Sequence, residues 1–157
     1  MNLQEAKDLA ISLMEKHGLI DKRWYFEFDN AKRRFGVCNY RYNKIGLSRH
    51  LTELNDIEQV RDTILHEIAH ALVGFNHGHD WVWKQKALEI GCNGNRCYKS
   101  DEVVSTSAKY EAVCPNPECK HLYKKHKRSR RTKRSSCGKC GNGRFNPDLE
   151  LVFIQKY

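Results

Sequence analysis

Proline is scarce in this chain, at 3 residues of 157, and glycine stands at only 10, which excludes disorder running through the whole sequence. No stretch approaches the roughly 20 apolar residues that a bilayer-spanning helix needs. The opening MNLQEAKDLAISLMEKHG mixes both charge signs without a continuous apolar segment, so it does not read as a secretory signal. Apolar residues reach 39%, below the usual globular share, against 30% charged. A modest core is expected, in one domain or one domain with a small appendix. Seven cysteines with no export signal argue for metal ligands and free thiols in place of disulfides, and their odd number agrees. The expected location is cytoplasmic, with no membrane partner.

The net charge of +9 is unevenly placed. Residues 1–113 carry 16 Lys/Arg and 16 Asp/Glu, whereas residues 114–157 carry 12 and 3. A neutral body with a basic C-terminal part points to an anionic partner for that part alone, and DNA is the expected one. Nine of the fifteen residues from Lys120 to Arg134 are Lys or Arg. Lys120, Lys124, Lys125, Lys127, Arg128, Arg130, Arg131, Lys133 and Arg134 are candidate phosphate contacts, which give affinity without sequence specificity. Tyr123 is a candidate for stacking on an unpaired base.

Leu3, Ala6, Leu9, Ala10, Leu13 and Met14 recur at helical spacing, and Gly18 supplies a stop. Residues 24–28, 34–40 and 44–48 read as three short strands in a meander. Asn55 and Asp56 offer a cap for a helix in which Ile57, Val60, Ile64, Ile68 and Leu72 repeat, closed by Gly74. A third helix is expected from Trp81 to Ile90. Between them runs a loop rich in Gly and His. Residues 92–113 give little, with Val103-Val104 a candidate strand fragment.

His66-Glu67-Ile68-Ala69-His70 lies inside the second of these helices. Residues four apart share a helix face, so both imidazoles can reach one ion. Glu67 is turned about 100° away, where it can reach a water without ligating the metal and act as general base. A tetrahedral zinc with an open position needs a third protein ligand, and His77 and His79 in the following loop both qualify. Glu89 is a more distant candidate. Trp81 and Trp83, two apart, cannot share a helix face, so one is expected under the site and the other exposed or covering the loop.

Cys114 and Cys119, then Cys137 and Cys140, form two knuckle-like pairs whose spacing reads as a four-cysteine zinc ribbon. Such a site holds together a module that lacks a core, because metal binding is itself folding energy. Cys38, Cys92 and Cys97 are left over as buried or free thiols.

The segment TILHEIAHALVG, a Gly-His loop and a Trp-bearing helix ending in Gly together resemble the SprT-like metalloproteases, which include the Spartan DNA-dependent proteases. FGVCNYRYNKIGLSRHL upstream and the cysteine pairs downstream extend the resemblance over roughly residues 20–145. The family's third ligand is a His followed four residues later by an aromatic. His77 with Trp81 and His79 with Trp83 both satisfy this, and the helix register favours His79, with His77 the alternative. The resemblance implies an α+β fold: a minimal zincin-like domain of three helices on a three-stranded sheet over residues 1–110, then a basic zinc ribbon over 111–157. It further implies a zinc endopeptidase acting on DNA-associated or DNA-crosslinked proteins, with one catalytic and one structural zinc. The rival expectation is a non-enzymatic nucleic-acid-binding protein whose HExxH site is structural or inactive. Nothing in the sequence bears on oligomeric state.

Overall fold

In the computed structural model, which describes residues 1–96, 104–127, 134–142 and 144–156, helices begin where the sequence offers a capping oxygen. Asn2 caps α1 (Leu3–Lys16), Ser48 caps α2 (Arg49–Leu54), Asp56 caps α3 (Ile57–Val73) and Asp80 caps α4 (Trp81–Glu89). Each side chain accepts from a backbone N–H of the first turn, one of the four such groups that a helix leaves without a partner. Periodicity predicts three helices, and the structure adds a fourth, α2. Its six residues are too few for an apolar repeat to register.

The first sheet holds β1 (Tyr25–Asp29), β2 (Gly36–Asn39) and β3 (Lys44–Ser48) in the order β1-β3-β2. This corrects the expected meander. β2 and β3 form an antiparallel hairpin, but β1 runs parallel to β3. Ile45 to Ser48 are all buried, and a strand buried along its length takes the central place. Alternation fixes which face a strand presents and says nothing of its neighbour.

The core gathers Ala6, Ala10 and Met14 of α1, Ile45 and Leu47 of β3, and Val60, Ile64, Leu65 and Ile68 of α3. α3 is therefore the central helix, packed against α1, α4 and β2. Val104 is not in a strand. The Asn55 amide instead bonds both its backbone groups, at 2.7 and 2.9 Å; Val103 lies outside the described residues.

The chain divides into two compact units, Met1–Thr106 and Ser107–Tyr157. In the second, β4 (Tyr110–Val113) pairs antiparallel with β5 (Leu122–Lys125) and with β6 (Ile154–Gln155). Among the described residues its buried cluster is Ala112, Cys114, Cys137 and Leu151. Among the described residues, no helix is long and apolar enough to cross a membrane.

Candidate active site

His66 and His70 stand one turn apart on α3. Gly74, at φ +87°, a region that a side chain strains, ends the helix and sends the chain back. The loop delivers His79 just before Asp80 caps α4. His79 Nε2 lies 3.0 Å from His66 Nε2 and 3.2 Å from His70 Nε2. Trp83, only 1% exposed, forms the floor beneath all three rings, with centroids 4.6 Å from His66 and His79 and 5.2 Å from His70. Trp81 is 68% exposed, so the two tryptophans divide as their spacing requires.

A second contact orients each helix histidine. The ring of His66 donates to the backbone carbonyl of Asn95, and the ring of His70 to that of His77. With Nε2 in the cluster, the proton of each neutral ring sits on Nδ1 and its bare lone pair points inward. Burial, with the neighbouring His70 and His79, lowers the His66 pKa to about 3. Burial and then His79 lower that of His70 to about 4. Burial and then Arg96 lower that of His79. Neutral rings with converging lone pairs are what a cation requires. Zinc–nitrogen bonds at tetrahedral angles would hold such nitrogens about 3.3 Å apart, close to the spacing found.

Glu67 turns from the same helix toward β2 and is 8% exposed. Its carboxylate accepts the backbone N–H of Cys38. Gly36 makes room for it: a Cβ there would fall 2.5 Å from Glu67 Oε1 and 2.8 Å from its Cγ. Burial pushes the carboxyl up to about 8, against the pull of Arg34 and of the Cys38 N–H. The Tyr40 hydroxyl donates to the His70 carbonyl at 2.9 Å and so ties the loop after β2 to the last turn of α3. Gly36, Tyr40, the three clustered histidines and Glu67 all line one cleft of about 650 Å³. Gly36, Tyr40 and Asn95 escape a reading of the sequence. They act on residues about thirty positions away, and no local pattern marks them.

His77 lines the cleft but stands outside the cluster, with Nδ1 2.8 Å from Asp80 Oδ2. Glu89 is exposed and pairs with Lys86 at 2.6 Å. Cys38 is half-buried in the cleft and its thiol is pushed up to about 12, chiefly by burial. Cys92 is buried; Cys97 lies outside the described residues.

Cys114, Cys119, Cys137 and Cys140 form the second metal-compatible cluster among the described residues. Cys114 Sγ lies 3.9 Å from Cys140 Sγ, and Cys119 Sγ 3.9 Å from Cys137 Sγ. That is far beyond a disulfide and close to the roughly 3.8 Å edge of a tetrahedral zinc–thiolate site. The Tyr123 hydroxyl donates to Cys137 Sγ at 3.1 Å, which draws that thiol down to about 6, and accepts from Gly138 N. Its ring meets His121 edge-on.

Of the basic residues, Lys124 and Lys125 lie on β5, and the Lys125 ammonium sits 3.8 Å from the centre of the Phe153 ring. Lys120 and Lys127 are exposed, and Arg134 pairs with Glu150. Arg128, Arg130, Arg131 and Lys133 lie outside the described residues.

The profile of the SprT-like family matches residues 11–104, more than half of the chain. No curated protein and no solved structure matches it. The chain belongs to the SprT-like family, and its histidine cluster with buried Glu67 beside it is that of a zinc metallopeptidase.

Proposed function

We propose, starting from that membership, that the protein is a zinc endopeptidase acting on proteins associated with or crosslinked to DNA. The observation that carries the peptidase part is the convergence of three imidazole nitrogens beside a buried carboxylate in one cleft. In this reading residues 1–110 are the protease domain, with His66, His70 and His79 as metal ligands. Zinc in such a site supplies Lewis acidity toward the scissile carbonyl and acidifies water. Glu67 accepts the proton of the attacking water and returns it to the leaving amine. Gly36 and the Cys38 N–H hold its carboxylate in place. The Asn95 and His77 carbonyls hold the rings of His66 and His70.

Residues 111–157 act as a ribbon around a structural zinc on Cys114, Cys119, Cys137 and Cys140. Its surplus of 12 Lys/Arg over 3 Asp/Glu beyond residue 113 supports DNA as the partner that concentrates substrate. All six described cysteines are outside disulfides, which suits a reducing compartment such as the cytoplasm.

Glu67→Gln tests the chemistry. Cleavage of a DNA-bound protein should fall by about 10²- to 10⁴-fold while zinc content and DNA affinity persist. Neutralising the basic residues from Lys124 to Arg134 tests the substrate class and should abolish DNA stimulation and its salt dependence. A zinc-loaded wild type that cleaves no DNA-bound protein would end the proposal.

A further inference from the structure

We propose that Phe75 is a specificity-determining residue: its exposed ring forms an apolar wall of the cleft, on which a large apolar side chain of the substrate packs beside the scissile bond. This rests on the peptidase reading of the same cleft. Phe75 lines that cleft together with the three clustered histidines and Glu67, and it is 75% exposed. Phe35, another aromatic of the lining, is 3% exposed and belongs to the core. Charge enters the same lining from Arg33, Arg34, Asp62 and Arg96, against which the Phe75 ring stands as an apolar surface.

The ring is held in place from two sides. Gly74 ends α3, and the His77 N–H donates to Gly74 O at 3.2 Å, so Phe75 rides a closed turn directly after the ligand-bearing helix. Its ring meets that of Tyr40 edge to face, with 6.3 Å between centroids and 69° between planes. Tyr40 in turn meets the buried Trp24 edge-on at 6.0 Å and gives its hydroxyl to the His70 carbonyl. Trp24, Tyr40 and Phe75 thus run as one aromatic series from the core to the His70 side of the cleft. A substrate side chain packing on this ring meets a surface that is already ordered, which lowers the cost of binding. The fold itself gains little from a ring left so exposed, since hydrophobic stabilisation scales with the apolar area removed from water.

An extended peptide advances about 3.3 Å per residue. A wall tied to the ligand His70 therefore meets a side chain next to the scissile bond or one residue beyond it. Burial against the ring favours Leu, Met or Phe at that position over Ala or Asp.

Competition between cleavage sites tests this. The full zinc-loaded chain is given a DNA-bound protein whose flexible tail carries a randomised segment, and mass spectrometry reads the relative kcat/KM of each cut. Wild type should prefer Leu, Met or Phe over Ala by about fivefold to twentyfold at one position flanking the cut. Phe75→Ala should lower that preference to within about twofold, with zinc content and thermal stability near those of wild type. Phe75→Leu should keep most of it. Phe75→Lys should move the preference at the same position to Asp or Glu, a change that no loss of stability can imitate.

An equal preference in wild type and Phe75→Ala, or no apolar preference at any flanking position in wild type, overturns the inference and leaves the peptidase reading standing. A DNA affinity that falls in Phe75→Ala while the preference stays would assign the ring to DNA and overturn it as well. A zinc-loaded wild type that cuts no tail ends the peptidase reading, and this inference with it.

Discussion

The two candidate metal sites sit on scaffolds of opposite kinds. The histidines of the first unit are mounted on a capped 17-residue helix at the centre of a cluster of 18 buried residues. Two of the four cysteines of the second unit, Cys114 and Cys137, make up half of the four buried residues in its cluster among the described residues, and Cys119 and Cys140 pack against it. In one unit the ligands stand on a scaffold whose core other residues supply; in the other two ligands are part of a small core, so a bound metal would contribute folding energy there. A catalytic site needs the first arrangement, because a carboxylate and three rings must hold their places while bonds change.

Zinc removal probes this contrast most strongly. A chelator should abolish proteolysis and collapse amide-exchange protection on β4, β5 and β6, while protection on α1, α3 and β3 persists. Cooperative loss of both units together would break the comparison. Trp83→Ala comes next. Deleting the buried floor of the histidine site should cost about 3–5 kcal/mol of first-unit stability in denaturant melts and weaken zinc retention, with the ribbon's zinc unaffected.

Gly36→Ala strikes the carboxylate rather than the ligands. A methyl 2.5 Å from Glu67 Oε1 must push that side chain aside, so kcat should fall by about 10- to 100-fold with both zincs retained. In a Glu67→Ala background the same substitution should destabilise less, which a double-mutant cycle on thermal stability would read. The smallest effect is expected from Asp56→Ala, which removes the cap of α3. About 1 kcal/mol should be lost from the first unit's unfolding free energy, with zinc affinity and kcat unchanged if the scaffold tolerates that loss.

Local patterns made much of this legible. The ends of α3 follow from Asp56 and Gly74, and the shared face of His66 and His70 from helical spacing. The choice between His77 and His79 needed the course of the loop. The structure brings His79 into the cluster and turns His77 to Asp80. The order β1-β3-β2 and the short helix α2 were hidden for a related reason: pairing partners are set at long range, and six residues carry too little periodicity.

The sequence by itself determined three of the four α-helices, the cap and stop of α3, the donor types and the placing of nine basic residues in one fifteen-residue run, because each is a property of neighbouring residues. Tertiary structure alone decided that Gly36 stands against Glu67, that Asn95 orients His66 and that Trp83 underlies three rings. These contacts join segments distant in the chain, and only the burial of a common core brings such segments together.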